Sequence, residues 1–137
     1  MVRNRCALLF VVLAALWLVG CEDIRKSPGE IVSERAKARW DALIRGDLQT
    51  AYDYLSPGYR QSTPFERYRR KIRGVGLWRK ARVERVECDE AEVCKVLVMV
   101  DVHLVIPRSG GEPIESTNPV YERWIYSEGQ WWYVPDR

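Results

Sequence analysis

The sequence predicts an α+β domain in which three N-terminal helices pack on an antiparallel sheet of about four strands. Three observations carry that prediction. Between Val32 and Ile72 apolar residues recur every three to four positions, the repeat of a helix with one buried face. From Trp78 onward they recur every second position, the repeat of a half-buried strand. Gly74 and Gly76 mark the change, and beyond them short turns join the strands into a meander.

The domain is preceded by a different kind of segment. Arg3 and Arg5 form a positive start, and Cys6 to Val19 is an uncharged apolar run of 14 residues. A bilayer crossing needs about 20 apolar residues, so this run suits the hydrophobic part of a secretory signal. Gly20 is small, as a peptidase requires, and Cys21 follows it. Leu18-Val19-Gly20-Cys21 resembles the bacterial lipobox. That resemblance implies diacylglycerol on the Cys21 thiol, cleavage before Cys21, and residues 1–20 as a lipoprotein signal peptide. The alternative is an ordinary secretory signal, or a short uncleaved anchor, with an incidental cysteine. Glu22, where an Asp would mark retention in the inner membrane, leans towards the outer membrane. Acyl chains at about 0.8 kcal/mol per buried CH₂ anchor such a chain durably at a periplasm-facing surface of the cell envelope.

Without the signal, the charge is nearly balanced. Removing Arg3 and Arg5 from the 22 basic residues leaves 20 against 19 acidic ones, a net charge of +1. No global steering field follows, and the compartment disfavours nucleic acid as a partner. Of the four cysteines, Cys6 leaves with the signal and Cys21 takes the lipid. Cys88 and Cys94 remain, and an even pair in an exported chain points to a disulfide. The alternatives are two buried thiols or part of a metal site. His103 is the only histidine, so no metal set is complete and no cofactor is expected.

The domain spans residues 28–137, and residues 21–27 form a short tether. Ser27-Pro28-Gly29-Glu30 is a helix start, with Ser as cap, Pro in the first turn and Glu three residues after the Ser. Val32, Ala36, Trp40, Leu43 and Ile44 continue it to Arg45-Gly46. Glu22 to Lys26 therefore span under ~20 Å, at about 3.3–3.6 Å per residue. Asp47 caps a second helix through Leu48, Ala51, Tyr52 and Leu55, which Ser56-Pro57-Gly58 is expected to break. Thr63-Pro64-Phe65-Glu66 repeats the capping pattern and opens a third, with Phe65, Tyr68 and Ile72 on its apolar side.

The first strand is expected over Trp78 to Cys88, charged as edge strands are. Asp89 to Glu92 turns the chain. The second, Val93 to Ile106, carries Val96, Val98, Val100, Val102, Leu104 and Ile106 on one face, the core face. Leu97, Met99, Asp101, His103 and Val105 take the other. Pro107 to Pro119 reads as a loop, Val120 to Tyr126 as the third strand, and Trp131 to Pro135 as the fourth. Cys88 and Cys94 then flank a hairpin turn, where Cα atoms approach to ~5.5 Å.

This order resembles the cystatin-like α+β cone of the nuclear transport factor two-like superfamily. Three stretches carry the likeness over residues 28–137. They are the helix pair around Ala38-Arg39-Trp40-Asp41-Ala42-Leu43 and Ala51-Tyr52-Asp53-Tyr54-Leu55-Ser56-Pro57, the valine-rich strand from Val93, and the hairpin from Glu122-Arg123-Trp124 to Gly129-Gln130-Trp131-Trp132-Tyr133-Val134-Pro135. The resemblance implies a curved sheet wrapped around a long helix, with a pocket at the open end. Its members include isomerases, cyclases, dehydratases and non-catalytic binding modules, so fold does not choose among them.

Candidate chemistry is sparse. Asp101 and His103 share a strand face about 7 Å apart, a spacing open to acid–base work. They lie opposite the aliphatic face, which favours solvent or a dimer contact instead. Arg67, Arg69, Arg70, Lys71 and Arg73 form a basic run continued by Arg79, Lys80, Arg82 and Arg85. It reads as a binder of anionic surfaces at about 1 kcal/mol per cation, or as a solvated helix face and a charge-protected edge. Trp131 and Trp132 are neighbours on a strand, so both enter a core only if both faces are covered. The expectation is a membrane-anchored, non-catalytic binding or assembly domain for an envelope protein or a small apolar ligand, with a homodimer through the sheet as one further partner. The alternatives are a pocket enzyme of the isomerase or dehydratase kind, and a basic-surface binder of anionic envelope components.

Overall fold

The computed structural model describes residues 26–90, 92–105 and 112–136. The signal segment and Cys21 lie outside them. The described chain is α+β, with four helices followed by one four-stranded antiparallel sheet in the order β1-β2-β3-β4. The helices are α1 (Pro28–Arg45), α2 (Leu48–Asp53), α3 (Pro57–Ser62) and α4 (Phe65–Lys71). The strands are β1 (Trp78–Cys88), β2 (Val93–Leu104), β3 (Ile114–Ser127) and β4 (Gln130–Val134).

The start of α1 follows the sequence signal. Ser27 Oγ accepts the Glu30 amide at 3.3 Å, and the Ser27 amide donates to Glu30 Oε2 at 2.7 Å. The second bond holds the Glu30 carboxyl below its usual range. Gly46, at φ 76°, closes the helix. Val32, Ala36, Arg39, Trp40, Ala42 and Leu43 are buried, and α1 packs mainly against β1.

Two expectations about the helices need correction. The second helix ends at Asp53, short of Leu55, and Ser56-Pro57-Gly58 not only follows that break but opens α3, the helix that makes four rather than three. Ser56 Oγ accepts the Tyr59 amide and Pro57 takes the first helical position, where its missing N–H costs nothing. Thr63 does not cap α4. Its amide closes α3 on the Tyr59 carbonyl at 2.8 Å, and its own carbonyl accepts the Tyr52 hydroxyl at 2.9 Å. The residue before α4 is Pro64, which provides no side-chain cap.

Along β2, Cys94, Val96, Val98 and Val100 are buried on the inner face. They pair with Trp124, Glu122, Val120 and Asn118 of β3. The third strand begins at Ile114 rather than Val120, so Pro119 lies inside it opposite Met99. β4 pairs only with Arg123 to Ser127, which leaves the outer side of β3 open at Pro119. A proline costs no ladder bond at such an edge. Cys88 and Cys94 are cross-strand partners and are disulfide-bonded, with sulfurs 2.05 Å apart.

Both hairpin tryptophans are buried, Trp131 in the main core and Trp132 on the opposite face. Neither is left exposed, because the chain covers the far side of β4. Leu55 bridges Tyr133 in parallel, the Ser56 amide donates to the Tyr133 carbonyl at 3.0 Å, and the Arg35 and Arg60 guanidinium groups lie over the Trp132 ring.

Candidate functional site

The largest concentration of buried polar chemistry lies between α1 and the last hairpin. Arg39 falls on the buried stripe of α1, and Glu122 falls on the inner face of β3 in phase with Trp124. The Glu122 side chain is 0% exposed and that of Arg39 is 6% exposed. Glu122 Oε1 accepts from Arg39 Nη1 at 2.6 Å and from Trp40 Nε1 at 2.7 Å, and Oε2 accepts from Trp124 Nε1 at 2.9 Å. A buried charge is tolerable only when paired and hydrogen-bonded in this way.

Aromatic rings surround the pair. The Arg39 guanidinium lies 3.8 Å over the Tyr133 ring, and Tyr133 packs on Trp124. Burial pushes the Tyr133 hydroxyl up to about 12, against the opposing pull of Arg39. Burial also raises that of Tyr68. Tyr68 Oη and Arg39 Nε have no hydrogen-bond partner among the described residues. With Trp40, Leu43 and Trp131 in the same core, the interior is packed around a carboxylate whose two oxygens already meet three donors.

Asp101 and His103 lie outside this interior, on the outer face of β2. They line an open hollow of about 400 Å³ with Arg79, Val102, Glu115, Ser116 and Thr117. They share the hollow but not a bond. Asp101 accepts from Thr117 Oγ1 at 2.8 Å and from Arg82 Nη1 at 3.2 Å. His103 Nδ1 faces Glu115 Oε1 at 3.4 Å. Each group is thus engaged by its own neighbours rather than by the other.

Arg67, Arg69, Arg70, Lys71 and Arg73 are all exposed along α4 and the segment after it. Arg69 pairs with Glu66 at 2.7 Å and Arg67 donates to the Ser62 carbonyl at 3.2 Å. Arg70, Lys71 and Arg73 form no ion pair among the described residues. No group of three His, Cys, Asp or Glu side chains suited to a metal occurs among the described residues.

Sequence reasoning missed Arg39 and Glu122 as partners. The signal was phase: a cation in step with Val32, Ala36 and Leu43, and a carboxylate in step with Val120 and Trp124. Compared with known proteins, the chain matches no family model and no curated protein.

Proposed function

We propose that the chain is a bacterial lipoprotein, held in the cell envelope through Cys21, whose domain is a cystatin-like cone that binds or assembles rather than catalyses. The observation that carries the non-catalytic reading is the saturation of Glu122. Its oxygens meet Arg39, Trp40 and Trp124 inside a packed interior, so its carboxylate is committed to structural donors. The pairing of Asp101 with Thr117 and Arg82 argues the same way on the outer face. Support for the anchored reading is the run of signal features ending in Leu18-Val19-Gly20-Cys21. No helix among the described residues is long and apolar enough to cross a membrane. The cone faces the periplasm, and Glu22 favours the outer membrane.

Mass spectrometry of the N-terminal peptide from the membrane fraction tests the anchor. A lipid-modified Cys21 at the new N-terminus is expected, and an unmodified Cys21 or cleavage elsewhere overturns it. A chain carrying Asp101→Ala and His103→Ala tests the second part. It should restore whatever the gene's deletion removes, whereas a folded, membrane-held variant that fails to do so favours the pocket enzyme.

A second reading has its own observation. Arg70, Lys71 and Arg73 are exposed cations without ion-pair partners among the described residues, which suits a contact with anionic envelope components.

A further inference from the structure

The exposed apolar side chains of this protein are not scattered. Among the described residues, Val75, Leu77, Leu104, Val105 and Ile114 are five of the seven large apolar residues left exposed. The structure brings them to one end. Leu104 pairs with Ile114 across β2 and β3, and the His103 amide donates to the Leu77 carbonyl at 2.9 Å, which ties the loop before β1 to the end of β2.

Val75 occupies the apex of a tight turn, a place where polar residues are usual. The Leu77 amide donates to the Gly74 carbonyl at 2.8 Å, and Gly76 has φ 87°. A positive φ at this third position defines a turn that favours glycine. Gly74 has a second constraint, since a Cβ there would lie 2.7 Å from the Trp78 indole. Trp78 in turn packs edge-on against Trp40 at 5.4 Å. The turn is thereby fastened to the core while Val75 stays 44% exposed at its tip.

Cations flank this tip on both sides. Arg70, Lys71 and Arg73 precede it and Arg79 and Lys80 follow it, all exposed. An apolar turn held rigidly between two groups of cations has the chemistry of a bilayer surface contact. The side chains reach the acyl boundary and the cations meet anionic headgroups.

We propose that this end of the domain docks on an anionic lipid bilayer, with Val75 and Leu77 entering the interface and Arg70, Lys71, Arg73, Arg79 and Lys80 pairing with headgroup phosphates. The proposal deepens the basic-surface reading by adding an apolar insertion to a charge contact. It does not depend on the lipid at Cys21.

The test uses the chain from residue 21 with Cys21→Ser, which keeps the whole core and both ends of the disulfide. The probe is sedimentation with vesicles of phosphatidylglycerol and phosphatidylethanolamine, compared with phosphatidylcholine alone. Binding to the anionic vesicles and its loss in high salt are expected. Replacing Arg70, Lys71 and Arg73 with Gln should weaken it by about fivefold per charge. Val75→Asp with Leu77→Asp should weaken it by about tenfold or more. Absence of binding to anionic vesicles overturns both the basic-surface reading and the insertion. Salt-sensitive binding that the two Asp substitutions leave unchanged overturns the insertion alone, and retention instead by an acidic protein surface overturns the bilayer as partner. Val75 and Leu77 are exposed, so unchanged near-ultraviolet circular dichroism is expected of the Asp variant. Val75→Trp supplies a second measurement: the emission it adds over that of the parent chain should shift to the blue only with anionic vesicles, and an unchanged emission counts against insertion.

Discussion

At the scale of single residues, Glu122 governs the interior. It joins α1 to β3 through charge-assisted bonds that no solvent shares. Glu122→Leu strands the Arg39 guanidinium and two indole N–H groups, and should cost about 3–5 kcal/mol in urea unfolding. Adding Arg39→Met removes the stranded charge, so the double variant should be more stable than Glu122→Leu alone. A double variant no better than the single would show that the pair contributes little beyond packing. Tyr133 gives a pH signature. Burial lifts its pKa in the fold to about 12, above the ordinary tyrosine value of 10, so between those values the unfolded chain loses a proton that the fold keeps. The stability linked to this group is fully present below about pH 10 and is lost as pH rises through about 12, by up to about 2–3 kcal/mol. Tyr133→Phe should flatten that part of the profile. Both residues were legible in outline, because helix and strand phase already place Arg39 and Glu122 among buried neighbours. Their pairing was not, since 83 positions separate them in the chain.

At the scale of elements, local chemistry explains both what the sequence revealed and what it concealed. The capping box at Ser27, the alternation of β2 from Val96 to Val100 and the cysteine spacing are rules within a few residues, and each reads directly, whereas Leu104, expected on the core face, is exposed and Ile106 lies outside the described residues. Ser56-Pro57-Gly58 is ambiguous by the same rules, because serine followed by proline can end one helix or begin the next. Here tertiary contact decides: the Ser56 amide is held by Tyr133 of β4, which fixes where α3 starts. Pro119 misled for a similar reason, since an open strand edge is invisible without its neighbours. The disulfide closes the β1–β2 hairpin over a separation of six residues. Replacing both cysteines with alanine should lower stability by roughly 2 kcal/mol, read from denaturant midpoints, and should leave β2 in place. The hairpin turn Asp89 to Val93 has its own bonds, with the Asp89 amide on the Val93 carbonyl at 2.9 Å, so register survives without the sulfur bridge.

At the scale of the molecule, the two ends of α1 differ in charge. Near its start, Lys26, Pro28 and Ile31 share a hollow with Cys88, Asp89 and Glu92, so the acidic β1–β2 turn lies beside the tether. Near its other end, Gly46 faces Val75, which places the apolar and basic tip there. The 18 residues of α1 put about 27 Å between the ends. A net charge near balance hides this separation, and composition alone leaves it unread. The proposed lipid at Cys21 and the proposed bilayer contact at Val75 then fit one membrane only if α1 lies along its surface, within reach of a five-residue tether. That geometry has a consequence for proteolysis. In the lipidated protein on anionic vesicles, cleavage by trypsin after Arg73 and Arg79 should be slow. It should quicken on vesicles of phosphatidylcholine alone, where the lipid still anchors the chain but the cations find no charged headgroups. Equal rates at Arg73 on both kinds of vesicle would mean that the domain stands away from the bilayer and that its basic end faces outward.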